Sequence, residues 1–261
     1  MMRVLDAEVL PAARHLELVA IEVSRIAAAF VAENHGRATA LRTKSTPTDV
    51  VTATDLASES LIRDELKARC PGSSVLGEEY DETIGRNEIR WIVDPIDGTV
   101  NFLYGLPVVS VSIAAEIDGR VVAGAVTDMR SGSTYSAHLG GGARFEGVAL
   151  AASAPTSLDD ALIGTGFAYD SATRAEQADV LTRLLPACRD IRCMGSAALN
   201  LCWVGAGLLD GYFERNIKVY DYAAGALVAS EAGAVVNLPD GEGLTWAATP
   251  AISASLEPLL R

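Results

Sequence analysis

Residues 90–102 read Arg90-Trp91-Ile92-Val93-Asp94-Pro95-Ile96-Asp97-Gly98-Thr99-Val100-Asn101-Phe102, an apolar run that ends in two carboxylates, a proline, a glycine and a hydroxyl group. The pattern predicts a buried strand that leads into a metal-binding turn. Pro95 favours an extended backbone at Asp94 and removes one donor, so we expect the strand to stop at Asp94. Gly98 allows a tight bend. Asp94 and Asp97 can then face one point beyond the carboxyl end of the strand.

Two aspartates at such a point repel each other. Unit charges about 4 Å apart interact by roughly 4 kcal/mol at an effective dielectric constant near 20, so a cluster of carboxylates needs a proton or a cation. The alternative is an ordinary hairpin turn, because Asp-Gly is a common turn pair. The chain contains two other such pairs, Asp118-Gly119 and Asp240-Gly241, and neither has an aspartate three residues earlier. The turn alone leaves both interpretations open.

The composition is that of an ordinary globular enzyme. A chain of 261 residues, 49% hydrophobic and 21% charged, suits one large domain or two closely packed ones. Its 34 acidic and 21 basic residues give a formal net charge of −13. This charge disfavours nucleic acid and anionic membranes as partners. A negative protein that binds a negative substrate needs cations as mediators.

The cysteines do not form a recognisable metal or redox motif. They contain no C-x-x-C pair, and no histidine lies close enough in sequence to complete a zinc site. We therefore expect all of them to be reduced core residues of a cytoplasmic protein. The cysteines are Cys70, Cys188, Cys193 and Cys202.

The first half of the chain predicts helices followed by a hairpin. Apolar residues recur at helical spacing over residues 12–31, and charges within this run, with Asp6 and Glu8 before it, argue against a signal peptide or membrane span. An amphipathic helix is expected over 56–69, with Asp55 at the N-cap position. A short strand then ends at Gly77 and Glu78. Residues 108–117 and 121–126 predict an antiparallel hairpin, and 135–137 a further strand.

The second half alternates between the two element types. Residues 161–167 predict a strand and a glycine turn, but Tyr169 stands where a dinucleotide motif needs its third glycine, so we reject a nicotinamide site. Helices are expected over 173–187, 195–206 and 222–232, and strands over 190–194 and 208–214. Ser196 suits an N-cap, or the helix start could bind an oxyanion. The mixture predicts an α+β fold of layered sheets and helices.

Four acidic positions stand where an element is predicted to end: Asp55, Glu78, the Asp94/Asp97 pair and Asp221. With their surroundings they resemble the inositol monophosphatase family, within the magnesium-dependent, lithium-sensitive sugar phosphatase superfamily. Residues 44–55 are similar to its D-x-V-T-x-x-D region, 77–79 to G-E-E, 94–102 to D-P-I-D-G-T-x-N-F, and 220–225 to W-D-x-A-x-G. The order and spacing agree from about residue 12 to the end.

The resemblance implies a fold, a reaction and a site. The fold would be a layered α-β-α-β-α sandwich in a single phosphatase domain over residues 1–261. The site would hold Mg²⁺, two or three ions, and hydrolyse a small phosphate monoester. The implied metal ligands are Glu78, Asp94, the carbonyl of Ile96, Asp97 and Asp221. The implied catalytic residues are Asp55, Thr99 and Glu78, with Asp55 and Thr99 activating the attacking water. The implied substrate contacts are Asp97, Gly98, Thr99, Gly195, Ser196, Ala197 and Glu214. A homodimer is also implied.

The chemistry of phosphate esters agrees with a metal site. Their hydrolysis needs acceleration by up to roughly 10²¹, whereas one positioned acid or base contributes about 10²–10⁴. Mg²⁺ prefers oxygen ligands, which suits a site without His or Cys. Three departures from the family pattern, Tyr104, Lys218 and Tyr220, remove no metal ligand and bear on the substrate instead.

The leading hypothesis is a Mg²⁺-dependent phosphomonoesterase that acts on myo-inositol 1-phosphate or a similar polyol phosphate. The same chemistry on fructose 1,6-bisphosphate, histidinol phosphate or a 3′-phosphoadenosine nucleotide is the first alternative. A non-enzymatic, Mg²⁺-binding regulatory or interaction protein is the second. Asp55 and Thr99 argue against the second, because ion binding alone does not require a pair that activates water.

Overall fold

A computed structural model describes residues 9–35, 40–43 and 50–261. The helices are α1 (Val9–Asn34), α2 (Ala53–Arg69), α3 (Thr99–Tyr104), α4 (Ser171–Leu184), α5 (Ala197–Gly205), α6 (Val219–Glu231) and α7 (Pro250–Leu260). The strands are β1 (Ala40–Thr43), β2 (Val50–Thr52), β3 (Ser74–Gly77), β4 (Ile89–Asp97), β5 (Ser110–Ile117), β6 (Arg120–Asp128), β7 (Thr134–His138), β8 (Ala143–Phe145), β9 (Val148–Ala149), β10 (Leu162–Thr165), β11 (Asp190–Cys193), β12 (Gly211–Arg215), β13 (Val235–Asn237) and β14 (Leu244–Ala248).

Two sheets separate three layers of helices. The seven-stranded sheet has the order β3-β4-β5-β6-β7-β8-β9, with only β3 and β4 parallel. The five-stranded sheet has the order β11-β10-β12-β14-β13. Helices α1 and α2 cover the first sheet, α5 and α6 lie between the sheets, and α7 packs with α4 on the second. The predicted α-β-α-β-α layering is confirmed. A separate two-stranded ribbon joins β1 to β2.

Residues 91–93 of strand β4 form an apolar run because helices cover both faces of the strand. Trp91 and Val93 pack in the cluster with α1 and α2, whereas Ile92 packs in the cluster with α5 and α6. Successive side chains of a strand point to opposite faces, so a strand between two helical layers reads as a continuous hydrophobic run. The apolar run 91–93 therefore indicates, from the sequence alone, that this strand lies between two layers of helices.

The prediction that this strand stops at Asp94 is wrong. Strand β4 continues to Asp97, and its pairing with β5 passes from Asp94↔Ser112 to Asp97↔Ser110. Three steps on β4 thus match two on β5, which is a β-bulge with one extra residue. Pro95 is tolerated there because the ladder is already interrupted. Gly98 follows with φ +97°, the bend expected at this position.

Two aspartates lie inside the first turn of a helix rather than before it. The N-cap of α2 is Thr52, and Asp55 is the third residue of the helix, so the N-cap role expected for Asp55 is wrong. Asp221 is likewise the third residue of α6, which already begins at Val219. In each case the carboxylate accepts a backbone N–H at the helix start, as in a capping box.

The remaining predictions agree with the structure within a few residues. The buried stripe of α1 and the hairpin of β5 and β6 are both present. Helix α4 ends at Leu184, before Pro186, and α5 begins at Ala197 with Ser196 as its N-cap. No helix in the described ranges is long and apolar enough to cross a membrane. The N-terminal Asp6 and Glu8, and residues 44–49 of the motif at 44–55, lie outside the described residues.

All of the cysteines are free thiols, but they are not all core residues. Cys70 and Cys202 are buried, Cys188 is partly buried and Cys193 is exposed. Cys193 stands at the end of β11, where the sheet edge opens toward a cavity. The expectation of four core cysteines is therefore wrong for Cys193.

Candidate active site

One cavity of about 1070 Å³ gathers the predicted residues. Its lining includes every predicted site residue except Asp55 and Ser196. These two lie directly beneath the lining: Asp55 accepts a hydrogen bond from Thr99, and Ser196 donates one to Asp97. We call Glu78, Asp94, Asp97 and Asp221 the carboxylate floor.

Asp94 is the most confined carboxylate of the floor. It is 2% exposed, and its Oδ1 accepts the backbone N–H of Ile96 at 3.0 Å. Burial raises the pKa of Asp94 well above its usual value, and the charges of Glu78, Asp97 and Asp221 raise it further. A hydrogen bond with Glu78 acts in the same direction. Asp94 is thus favoured in its protonated form unless a cation replaces the proton.

Asp97 is also buried, but it is surrounded by donors. Its carboxylate accepts the backbone N–H groups of Ala197 at 3.1 Å and Ala198 at 2.9 Å, together with the hydroxyls of Ser196 and of Ser110 at 3.2 Å. Burial raises the pKa of Asp97, while these hydrogen bonds lower it. The carboxylate therefore joins the end of β4 to the start of α5, where the helix dipole favours an anion.

Asp221 reaches the floor from α6. Its Oδ2 accepts the backbone N–H of Lys218 at 2.6 Å. Burial raises the pKa of Asp221 well above its usual value, the charge of Glu78 raises it further, and the Lys218 hydrogen bond opposes the shift. Residues far apart in sequence therefore raise one another's pKa, because their carboxylates share one poorly solvated space.

Asp55 and Thr99 form a hydrogen-bonded pair beside the floor. Asp55 is fully buried, and its Oδ2 accepts the N–H of Thr52 at 2.9 Å and the hydroxyl of Thr52 at 2.5 Å. Thr99 Oγ1 lies 3.1 Å from Asp55 Oδ1 and 3.0 Å from the carbonyl oxygen of Ile96. The capping box holds Asp55 still, so Oδ1 has a defined position toward Thr99.

A tight backbone turn brings Gly98 and Gly195 together. A Cβ on Gly98 would lie 3.0 Å from the carbonyl oxygen of Gly195 and 2.9 Å from that of Val108. Asn101 links the two segments that meet at this turn. Its Nδ2 donates to the carbonyl oxygen of Val108 at 2.8 Å and to that of Met194 at 2.7 Å. The backbone amides of Gly98 and Thr99 consequently border a narrow corner of the cavity.

Our sequence reasoning missed Asn101 and Ser110 as site residues. Asn101 belongs to the D-P-I-D-G-T-x-N-F stretch, but its amide links two distant loops, which no local pattern shows. Ser110 follows a detectable signal, because Ser110 and Ser112 alternate with valines in β5 and so share one face. Ser110 reaches Asp97, and Ser112 reaches the carbonyl oxygen of Tyr220 at 3.5 Å.

We call Gly166, Glu214, Lys218 and Glu242, which also line the cavity, the outer wall. Glu214 accepts the Tyr212 hydroxyl at 2.5 Å. A Cβ on Gly166 would lie 2.0 Å from Glu214 Oε2, so a larger residue here would displace this carboxylate from its present position. Burial raises the pKa of Glu214 to about 7, and the charge of Asp97 adds to the effect. Lys218 and Glu242 form an exposed ion pair at 2.9 Å.

The donor chemistry of the floor fits a hard divalent cation. Four carboxylates and the carbonyl of Ile96 offer only oxygen atoms, the ligands that Mg²⁺ prefers. As the side chains stand, the described ranges contain no group of three or more His, Cys, Asp and Glu gathered tightly enough to hold a metal ion. The floor carboxylates thus line one cavity without forming such a group.

Comparison with known proteins identifies the family. The sequence profile of the Inositol monophosphatase family matches residues 12–260. The chain belongs to the inositol monophosphatase family. The phosphatase is accordingly a phosphoric monoester hydrolase, and its family is metal-dependent in general.

Its relatives agree on the fold but carry two kinds of name. The inositol-1-monophosphatase of Mycobacterium leprae is 49% identical over 232 residues, covering 83% of this chain and 80% of that protein. The solved structure of Mycobacterium tuberculosis SuhB is 42% identical, with a TM-score of 0.82 and coverage of 95% and 96%. A Salmonella typhimurium protein named Nus factor SuhB is 35% identical over 222 residues, covering 84% and 83%. The similar structures confirm the layered α+β architecture.

Proposed function

We propose that this phosphatase hydrolyses myo-inositol 1-phosphate or a similar polyol phosphate with Mg²⁺ as its cofactor. One observation carries the proposal: Glu78, Asp94, Asp97 and Asp221 come from three separate segments and line one cavity. Such a floor is electrostatically unfavourable without cations. Glu214, in the outer wall of the same cavity, offers an acceptor for the hydroxyl groups of a polyol.

The floor divides into two overlapping sets of ligands. Glu78, Asp94 and the carbonyl oxygen of Ile96 would hold one Mg²⁺, and Asp94, Asp97 and Asp221 a second; a third ion is compatible with the remaining carboxylate oxygens. When bound, Mg²⁺ stabilises charge on the phosphoryl oxygens and lowers the pKa of water. Asp97 is held by four donors, so it orients its ligand atoms with little freedom.

The residues beside the floor transfer the proton of the attacking water and bind the phosphate ester. Thr99 Oγ1 accepts a proton from the attacking water while its own proton moves to Asp55 Oδ1, which lies 3.1 Å away. The backbone amides of Gly98 and Thr99 donate to the phosphate. Gly195 and Ala197 border the leaving group, with Ser196 beneath them hydrogen-bonded to Asp97, and Glu214 accepts hydrogen bonds from the hydroxyls of the leaving group.

A panel of phosphate esters tests the substrate. The purified protein, with Mg²⁺, is assayed for phosphate release from myo-inositol 1-phosphate, fructose 1,6-bisphosphate, histidinol phosphate and a 3′-phosphoadenosine nucleotide. We expect the highest kcat/KM for myo-inositol 1-phosphate. A tenfold preference for another ester would transfer the assignment to that ester, and the absence of turnover on every ester would overturn it.

The relatives named Nus factor favour a second candidate, a regulatory or interaction role that does not use the hydrolytic site. The hydrogen bond between Thr99 and Asp55 supports hydrolysis instead, since ion binding alone does not need it. A deletion strain separates the two. Rescue of its phenotype by wild type but not by Asp97→Asn supports the enzyme, whereas rescue by both supports the regulatory role.

We further propose that residues 1–261 form a single domain and that the protein is a cytoplasmic homodimer that binds neither nucleic acid nor membranes. The free thiols support the cytoplasmic location, and the net charge of −13 supports the exclusion of nucleic acid and membranes. The single domain and the homodimer rest on the family resemblance. Light scattering during gel filtration measures the assembly state, and a monomer mass at micromolar concentration would refute the dimer. Inhibition by Li⁺, which the family resemblance implies, is measured in the same phosphate assay.

A further inference from the structure

Helix α2 connects the water-activating pair to the loop that carries Glu78. Asp55, Glu59 and Arg63 follow one another at intervals of four residues, so they lie along one face of the helix. Asp55 reaches Thr99. The other two residues face the segment 75–83, in which Glu78 follows the end of β3.

Glu59 contacts both neighbours of Glu78. It is a fully buried carboxylate, and its Oε2 accepts the backbone N–H of Glu79 at 2.7 Å. On the other side, a Cβ on Gly77 would lie 2.0 Å from Glu59 Oε1, so a larger residue here would displace the carboxylate from its present position. The backbone on either side of Glu78 is therefore placed by one side chain.

Arg63 fills the loop that carries Glu78. The loop is closed by paired backbone hydrogen bonds of 2.9 Å between Val75 and Thr83. The guanidinium donates to the Thr83 hydroxyl at 2.8 Å, and to the carbonyl oxygens of Tyr80 and Asp81 at 3.2 Å each. It also donates from Nε to Glu59 Oε1 at 2.8 Å. The planar fork of arginine suits such a set of diverging acceptors, which a lysine ammonium cannot reach together.

We propose that Glu59 and Arg63 are positioning residues for Glu78: this ion pair sets the backbone of the Glu78 loop against α2 and thereby sets the affinity of the site for Mg²⁺. This inference rests on the proposed Mg²⁺-dependent function. Residues that orient metal ligands from behind change metal affinity when they are removed, typically by about 10- to 100-fold. An ion pair that serves only the fold would change stability and leave the Mg²⁺ requirement of the folded enzyme unchanged.

The test compares two arginines of the same helix. Arg63→Met removes the donors to the loop. Arg69→Met is the matched control, because Arg69 lies on the same helix and donates to Glu22 and Glu65 instead. For each variant the Mg²⁺ concentration that gives half-maximal phosphate release is measured. The shift of Tm on adding Mg²⁺ without substrate gives a second measurement, which does not depend on turnover.

We expect Arg63→Met to raise the half-saturating Mg²⁺ concentration by about 10-fold or more, with much of kcat recovered at saturating Mg²⁺, and Arg69→Met to raise it less than twofold. Two milder variants decide the matter if Arg63→Met does not fold. Arg63→Lys keeps the positive charge and removes the planar guanidinium with its several donors. Thr83→Val removes one acceptor of the loop. Each should raise the half-saturating concentration by at least about twofold, as expected for partial loss of outer-shell contacts.

Equal Mg²⁺ requirements in the Arg63, Thr83 and Arg69 variants would overturn the proposal. So would a lowered kcat in Arg63→Met that excess Mg²⁺ does not restore. Failure of the proposed function looks different: wild type itself would then show neither phosphate release nor a Mg²⁺-dependent shift of Tm.

Discussion

The carboxylate floor and the exposed ion pair of the outer wall differ in burial and in how their charges are balanced. On the floor, Asp94 is 2% exposed and Asp97 is 7% exposed, and neighbouring carboxylates raise the pKa of Asp94. On the wall, Lys218 and Glu242 balance each other in an exposed ion pair. A buried cluster of carboxylates favours bound protons or cations, whereas an exposed ion pair contributes little to stability and can be replaced at small cost. We infer that the floor sets the reaction and the wall sets the substrate.

The largest effect is expected at the floor. Asp94→Asn should lower kcat/KM for phosphate release by about 10³-fold or more. Removal of one hydrogen-bond donor that stabilises a transition state typically lowers the rate by about 10²–10³-fold, and the loss of a shared metal ligand should cost at least as much. Because Asn resembles the neutral form that burial and the neighbouring carboxylates favour at Asp94, the metal-free protein should keep its fold and a Tm at least as high as that of wild type. Asp118→Asn, in an exposed Asp-Gly turn of β5 and β6, is the control and should leave turnover unchanged. Unchanged turnover in Asp94→Asn would refute the metal assignment.

Protons and Mg²⁺ should compete for the floor. The pKa values of Asp94 and Asp221 are raised well above normal, and that of Glu214 is raised to about 7. These groups hold protons more tightly in the folded state, so their contribution to stability is present at low pH and is lost as the pH rises through the raised values. The Tm of the metal-free protein should therefore fall between pH 5 and pH 8. The fall should be roughly 2–4 °C for each kcal/mol by which the free energy of unfolding decreases.

Mg²⁺ should restore the lost Tm more at pH 8 than at pH 5, because fewer protons then occupy the floor. Calorimetry with and without the ion measures both effects. Asp94→Asn separates the floor from the general repulsion of an acidic surface, since it should reduce the pH dependence. A metal-free Tm that stays level from pH 5 to pH 8 would contradict the raised pKa values.

A smaller effect is expected where the wall approaches the floor. Glu214→Gln should raise KM for a polyol phosphate by about tenfold, as for the loss of one charge-assisted hydrogen bond, and change kcat less. With a pKa of about 7, Glu214 gains its charge between pH 6 and pH 8, so KM of wild type should fall over that range. The Gln variant should show a flatter profile. Gly166→Ala, which crowds the same carboxylate, should act in the same direction.

The smallest effect is expected at the exposed end of the wall. Lys218→Met breaks the ion pair with Glu242, and surface pairs of this kind contribute roughly 0–1 kcal/mol. We expect a change in KM of at most about threefold and no change in Tm. A loss of kcat as large as that of Asp94→Asn would show that floor and wall are not separate in function.

Local sequence patterns predicted which helices and strands are present more accurately than they predicted where those elements begin and end. The buried stripe of α1 and the turn at Asp118-Gly119 depend on side chains a few residues apart, and both are confirmed. The end of β4 was misplaced because a bulge beside Ser110 and Ser112 absorbs Pro95, and pairing with another strand is not visible in β4 itself. The N-cap role of Asp55 was wrong because Thr52 takes it, which frees Asp55 to face Thr99.

In the candidate site, too, some features could be predicted from the sequence and others could not. Its residues could be named from short motifs, because carboxylates and glycines at fixed spacing mark metal-binding turns and sharp bends. The roles of Glu59, Arg63 and Asn101 could not, since each acts through contacts with segments distant along the chain or with backbone atoms that have no sequence signature.

Read alone, the amino-acid chain established the kinds of groups present, the periodicity of its helices and strands, and the acidic motifs that resemble one phosphatase family. Folding added the distances: it brought Glu78, Asp94 and Asp221 into one cavity, seated Asp97 on α5 and placed Arg63 inside the Glu78 loop. The physical reason is range. Propensity and turn chemistry act over a few residues, whereas the pKa of a buried carboxylate depends on every charge packed around it, however far along the chain.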